Sequence, residues 1–202
     1  MELQLRGRNW LGWLSLLLLI GLLAAAVVQM IYSGGNMSEV VEDPDAGLNG
    51  SFETVSEGLP VNWMLYTQNT VQEGDFDIVI DTENAAEGSQ SLKFDIRSCS
   101  PQGGWYSPGL AQEIAVTPGK EYNLSFQIRN SGAQFHIKAG PVAVSASDMR
   151  TIVHTAEPLI DWLIMDYNIL IPENFKTLRF EVNLLTPGQF WIDDISITEM
   201  QE

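Results

Sequence analysis

The chain has 202 residues, 45% of them apolar and 9% aromatic, which is enough for a packed core and too much for a wholly disordered protein. Twenty-six acidic residues against ten basic ones leave a formal charge of −16, which repels phosphate backbones and argues against a nucleic-acid partner. A single cysteine, Cys99, excludes an internal disulfide, a cysteine zinc cluster and a CxxC redox pair, so a half-buried thiol is expected.

Residues 1–9 form a short N-terminus in which Arg6 and Arg8 outweigh Glu2. No charge follows Arg8 until Glu39, and residues 10–32 are dominated by Leu, Ala, Val and Ile. As a helix this stretch would run roughly 35 Å, enough to cross a hydrocarbon core of about 30 Å with some tilt. Trp10 and Trp13 near one end and Tyr32 at the other suit the headgroup zones. We read 10–32 as a transmembrane signal anchor with its N-terminus in the cytoplasm and the remainder of the chain outside. The competing reading is a cleaved signal peptide, with Leu11 to Leu23 as its apolar core and Ala24-Ala25-Ala26 as its small-residue site, leaving a secreted protein. Export is expected on either reading. Residues 33–46 combine Gly34, Gly35, Ser38 and Pro44 with four acids and predict a flexible acidic linker.

From Gly47 onward the period is two. Short strands are predicted at Phe76 to Asp81, around Leu92, Phe94 and Ile96, and at Gln112 to Val116. Tyr122, Leu124, Phe126 and Ile128 alternate with Glu121, Asn123, Ser125, Gln127 and Arg129, so one face of that strand is buried and the other wet. Further strands follow at Gln134 to Ala139, Met165 to Ile171, Leu178 to Leu184 and Phe190 to Thr198. Turn signals at Gly88-Ser89, Pro118-Gly119, Ser131-Gly132, Pro172 and Pro187-Gly188 separate them. No stretch beyond the linker has a long helix-period stripe. The pattern predicts an all-β domain over 47–202, an antiparallel sandwich or jelly roll, preceded by the one N-terminal transmembrane helix.

The order of landmarks resembles a known family. Leu48-Asn49-Gly50-Ser51-Phe52-Glu53, Leu59-Pro60-Val61-Asn62-Trp63 and Glu87-Gly88-Ser89-Gln90-Ser91-Leu92 resemble the opening of carbohydrate-binding modules of families four, nine and twenty-two. Gln112 to Val116, followed by Thr117-Pro118-Gly119-Lys120-Glu121-Tyr122, is similar to the family's strand, turn and strand. Trp162 with Met165 and Tyr167, and Phe190-Trp191-Ile192-Asp193-Asp194-Ile195, resemble its later and closing strands. The resemblance implies a galactose-binding-like jelly roll that binds glycans without cleaving them, with Trp63, Trp162 and Trp191 in its core. It also implies a structural calcium near the first and last strands, which here would fall on Asn49, Glu53, Asp193 and Asp194.

The residues themselves are compatible with that set, because hard oxygen ligands suit calcium. Asp193, on the face of Ile195 and Ile197, is expected to be partly buried. Backbone N–H groups could satisfy Asp193 instead, with Asp194 solvated. A catalytic role is not expected: strand neighbours such as Asp193 and Asp194 point to opposite faces, and no GxSxG, HExxH, P-loop or GxGxxG motif is present.

Sugar recognition needs flat apolar surfaces for pyranose CH faces and planar polar groups for hydroxyls. The loop from Pro101 to Gly109 sets Trp105 and Tyr106 among glycines and prolines, where an aromatic could stack on a sugar or cap the core. Gln127, Arg129, His136, Lys138, Glu181 and Asn183 are the wet-face positions of the clearest strands, and the resemblance implies a cleft on a concave sheet face. Trp105, Tyr106, Gln127, Arg129, His136 and Asn183 are therefore the candidate contacts to a glycan or polysaccharide. The acidic surface disfavours uronate and sulfated polymers, so an uncharged glycan is expected. An envelope or protein-interaction sandwich without sugar binding is the alternative, and a small glycan hydrolase ranks third.

Overall fold

A computed structural model describes residues 40–201. The predicted anchor at 10–32, the N-terminus before it and the linker up to residue 39 lie outside the described residues. Among the described residues no helix is long and apolar enough to cross a membrane.

In chain order the strands are β1 (Val55–Ser56), β2 (Leu59–Pro60), β3 (Met64–Tyr66), β4 (Gly74–Asp81), β5 (Ser91–Cys99), β6 (Gly109–Ala115) and β7 (Glu121–Asn130). They continue as β8 (Phe135–Ala143), β9 (Ala146–Ser147), β10 (Arg150–Thr155), β11 (Leu159–Leu170), β12 (Thr177–Leu184) and β13 (Gly188–Glu199). All pairings are antiparallel. The first sheet runs β10-β8-β12-β6-β3, with β9 also on β8, and the second runs β11-β7-β13-β5-β4. The expected all-β class holds, and the two sheets pack face to face as a sandwich.

Period-two alternation builds the core. Tyr122, Leu124, Phe126 and Ile128 of β7, Leu92, Phe94 and Ile96 of β5, and Leu178, Phe180, Val182 and Leu184 of β12 are all buried, as predicted. Aromatic pairs tie the sheets together: Phe126 of β7 meets Phe180 of β12 at 5.5 Å between ring centroids, and Phe135 of β8 meets Phe190 of β13 at 4.4 Å. Trp63 is fully buried beside Phe52 and Phe180, with its indole N–H donating to the Asn49 carbonyl at 3.0 Å.

Two expected core tryptophans are placed otherwise. Trp162 is only half-buried, in the stretch between Leu159 and Leu163 where β11 loses register with β7. Trp191 lies on the outer face of the second sheet, opposite Lys93 and Arg129, and is buried by them instead of by the core. Asp193 also faces outward, paired with Gln127, and not with Ile195 as alternation predicted. Asp194, at φ 50°, makes a bulge between Asp193 and Ser196 that shifts the parity of β13 by one residue. Strand β10 escaped the sequence reading because Arg-Thr-Ile-Val-His-Thr has no clean alternation. At the end of the 33–46 stretch expected to be flexible, residues 41–46 and the adjoining Gly47 are held to the domain by Asn62. Its Oδ1 accepts from the Asp43 N–H at 2.7 Å, and its Nδ2 donates to the carbonyls of Asp43 and Gly47 at 2.7 and 2.9 Å.

Candidate functional site

Strand β12 crosses the middle of the first sheet, and burying Leu178, Phe180 and Val182 turns Arg179, Glu181 and Asn183 outward. Register brings Glu113, Ala111 and Gly109 of β6 beside them on one side and Gly140, Lys138 and His136 of β8 on the other. Arg179 is fixed in a fan of three partners. Its Nε donates to Glu181 Oε2 at 2.8 Å, Nη1 to Glu113 Oε1 at 2.8 Å and Nη2 to Tyr66 Oη at 2.6 Å. Burial works against the Arg179 charge, but Tyr66, Glu181 and Glu113 together hold its proton more tightly than usual. Burial and the Glu181 carboxylate push the Tyr66 phenol up, so it stays neutral. The result is a rigid planar floor of guanidinium, carboxylate and phenol groups, with few rotamers left to order when a ligand arrives.

The loop 100–107 makes the wall. It contains a one-turn 3-10 helix at Gly104–Tyr106, from which Trp105 and Tyr106 project with 49% and 47% of their surface exposed and ring centroids 5.6 Å apart. Asn183, braced by His136, latches this loop to the sheet, and Ser107 ties the loop to itself. Asn183 donates from Nδ2 to the Gly104 carbonyl at 3.0 Å and accepts the Gly104 N–H on Oδ1 at 2.9 Å. The same Oδ1 lies 2.9 Å from His136 Nε2, which must therefore carry the imidazole proton. Ser107 Oγ accepts the Gly103 N–H at 2.8 Å and donates to the Ser100 carbonyl. Gly103, at φ 77°, is required because a Cβ there would lie 2.6 Å from the His136 ring. The resulting cleft of about 460 Å³ is lined by Trp105, Tyr66, Met64, Met149, Arg179, Glu181 and Lys138 among others.

The structure divides the six sequence-selected contacts into three groups. Trp105 and Tyr106 are exposed on the loop, and Trp105 lines the cleft. His136 and Asn183 lie beneath that loop, 9% and 0% exposed, and hold it instead of facing solvent; strand alternation was right about their direction but does not reveal a covering loop. Burial lowers the His136 pKa despite its bond to Asn183, so the ring is neutral at pH 7. Gln127 and Arg129 belong to β7 in the second sheet, away from the cleft. Gln127 Nε2 donates to Asp194 Oδ2 at 3.2 Å, and Arg129 donates to Asn84 Oδ1 at 2.6 Å while its guanidinium lies 5.1 Å from the Trp191 ring centroid. Alternation separates inner from outer residues and cannot say which of two outer faces a strand serves. Tyr66 and Arg179 line the cleft but were not among the sequence candidates. Arg179 stands two residues from Glu181 in a clearly alternating strand, which was a usable signal, whereas Tyr66 sits in a strand too short to show a period.

Of the four residues assigned to calcium, Glu53 and Asp193 share the loop at residues 86–90, whereas Asn49 and Asp194 bond elsewhere, Asp194 to Gln127. Asn49 spends its amide on Thr54 and the Val61 carbonyl. Glu53 accepts from Ser89 N–H and hydroxyl at 2.7 and 2.6 Å and from the Gln90 N–H at 2.9 Å, and the Ser89 bonds hold its pKa low. Asp193 accepts from the backbone of Ala86, Glu87 and Asp194. Even so, burial outweighs these bonds and raises its pKa. Among the described residues, no three His, Cys, Asp or Glu side chains converge as a metal site.

No protein-family model matches the chain, and no curated protein matches it in sequence. Solved structures do match. The xylan-binding domain CBM22-1 from Paenibacillus barcinonensis is 15% identical with a TM-score of 0.53, over 76% of this chain and 93% of that one. A CBM4 carbohydrate-binding module is 14% identical with a TM-score of 0.52, over 75% of this chain and 98% of that one. The enzymatically active domain of the bacteriophage CBA120 tailspike protein 4 is 18% identical with a TM-score of 0.53, over 75% of this chain but only 21% of that one. The structural neighbours are carbohydrate-binding modules of families 22 and 4 and related sandwiches, and what is shared at this identity is the fold.

Proposed function

We propose that this chain is a non-catalytic carbohydrate-binding module with a jelly-roll sandwich, displayed outside the cytoplasm by a membrane anchor at residues 10–32, and that its cleft binds an uncharged polysaccharide. The observation that carries the reading is the exposed Trp105 ring beside the fixed floor of Tyr66, Arg179 and Glu181, an aromatic platform next to planar hydrogen-bonding groups. The cleft carboxylate Glu181 and the neighbouring Glu113 are both held by Arg179, which suits them to accept hydroxyl hydrogens better than to shuttle protons. The xylan-binding description of the matched family 22 domain makes β-linked plant-type polysaccharides the first ligands to try.

The test is a glycan array probed with the full chain in a sugar-free detergent, followed by titration of Trp105→Ala on any hit. Binding that depends on Trp105 supports the reading, and turnover of the bound glycan would make the protein an enzyme. Failure of the folded protein to bind any glycan would favour the envelope or protein-interaction sandwich, for which the edge strand β11 offers exposed Ile160, Ile164 and Leu170.

The anchor is tested by carbonate washing, which should leave a full-length chain in the membrane, and by protease added outside intact cells, which should remove the domain. A mature N-terminus at Val27 would indicate the cleaved signal peptide. Calcium beside Asp193 and Glu53 is a further part of the proposal, supported by the burial of the Asp193 carboxyl, which three backbone N–H donors offset only in part. It would raise the melting temperature by the linkage RT ln(1 + [L]/Kd), and coincident melting curves in calcium and in chelator would remove it.

A further inference from the structure

Asn62 does more than end the linker: by clamping residues 41–47 it builds a second depression on the same outer face. This depression holds about 540 Å³ and adjoins the cleft, since Met64 lines both. Its apolar surface comes from Val40, Pro44 and Met64, and its polar groups include the carboxylates of Glu42 and Glu113. No cationic side chain is among its lining residues. Glu113 is shared with the floor, because its Oε1 accepts from Arg179. Glu42 and the Arg179-bound Glu113 offer carboxylate acceptors, and with no further cation lining it this apolar bed takes hydroxyl donors and repels carboxylate or sulfate groups. Continuity through Met64 and Glu113 makes the next stretch of a glycan lying in the cleft its natural occupant.

Resting on the proposed glycan-binding reading, we infer that the depression formed by Val40, Glu42, Pro44 and Met64 is a second subsite, which binds the continuing, uncharged sugars of a linear polysaccharide. The segment before the sandwich is then part of the binding surface as well as a spacer. Neither Val40 nor Glu42 reaches the first cleft, so the subsite contributes only to ligands long enough to cross Met64.

The test is calorimetric titration of the full chain, in a sugar-free detergent, with linear xylo- and cello-oligosaccharides from disaccharide to octasaccharide. The wild type should gain about tenfold or more in affinity as the chain lengthens. The double variant Val40→Ser/Glu42→Ala should bind the shortest ligand that wild type binds equally well and lose most of the gain on lengthening. Glu42→Lys, which leaves the Asn62 clamp in place, should weaken long uncharged ligands and relax the rejection of glucuronate-substituted ones. An unchanged melting temperature certifies that the fold is intact. A length dependence equal in wild type and both variants, or no length dependence at all, overturns the second subsite while leaving the first cleft standing. Absence of binding by wild type at every length would instead remove the glycan reading itself, and this inference with it.

Discussion

The outer faces of the two sheets carry nearly the same chemistry and behave in opposite ways. On the second sheet Trp191 is ringed by Lys93 and Arg129, whose charged groups lie 5.4 and 5.1 Å from its ring centroid, and its indole N–H donates to Asp81 at 2.8 Å. On the first sheet Trp105 stands near Arg179, Lys138 and Glu181, but Arg179 is turned away into Tyr66 and two carboxylates. Trp191 is 6% exposed and Trp105 49%. An aromatic ring among cations and acids is thus a closed structural cluster when a cation lies on its face, and an open platform when the cation has other partners. A list of aromatic and polar residues does not distinguish the two; the geometry of the guanidinium does.

The contrast can be broken from either side. The largest effect is expected for Trp191→Ala, which removes a buried ring and should cost roughly 3–5 kcal/mol in denaturant unfolding with no change in glycan affinity for the folded fraction. If affinity falls and stability holds, the second sheet carries the site. Trp105→Ala should do the reverse, weakening a bound glycan by about 1–3 kcal/mol, or five- to 150-fold, with an unchanged melting temperature. Asn183→Ala lies between, since it releases the Gly104 backbone and the His136 ring together: a stability loss of about 1–3 kcal/mol is expected, accompanied by weaker binding although Asn183 is not at the cleft surface. Arg129→Ala should expose the Trp191 ring and cost only about 0.5–2 kcal/mol.

The smallest effect is a pH dependence. The folded protein holds the His136 proton less tightly than the unfolded chain does, because burial disfavours the imidazolium. Unfolded chains therefore take up the extra proton first as pH falls through about 6.5, and stability should decline there and stay flat above pH 7. His136→Gln should flatten the decline, and an unchanged profile would mean that the loop does not sense this ring.

Much of the core was legible because hydrophobic alternation is a local property. Tyr122 to Ile128 and Leu178 to Leu184 bury the side predicted for them, and the strand ends fall close to the turn residues that announced them. The cleft was legible only in part. Trp105 and Tyr106 stood out among Gly and Pro, but Tyr66 came from a three-residue strand and Arg179 passed as an ordinary solvated position. Asp193 was assigned the wrong face because one left-handed residue, Asp194, changes the parity of everything after it; the only trace in the sequence is the switch of apolar positions from Phe190 and Ile192 to Ile195 and Ile197, which Trp191 obscures.

By itself, then, the sequence determined an all-β domain, the inner faces of β5, β7 and β12 and the composition of the exposed loop, since each depends on residues a few positions apart. Tertiary structure alone decided which outer face each strand serves, and so separated Gln127 and Arg129 from Trp105. It also decided that His136 and Asn183 are covered, that Arg179 is drawn away from the aromatic ring, and that the end of the linker lines a depression adjoining the cleft. These outcomes depend on pairings such as β12 with β6 and β8, and on contacts such as Asn183 with Gly104, 79 positions apart. Such contacts join parts of the chain that no local pattern connects, and sheet order together with loop closure selects them.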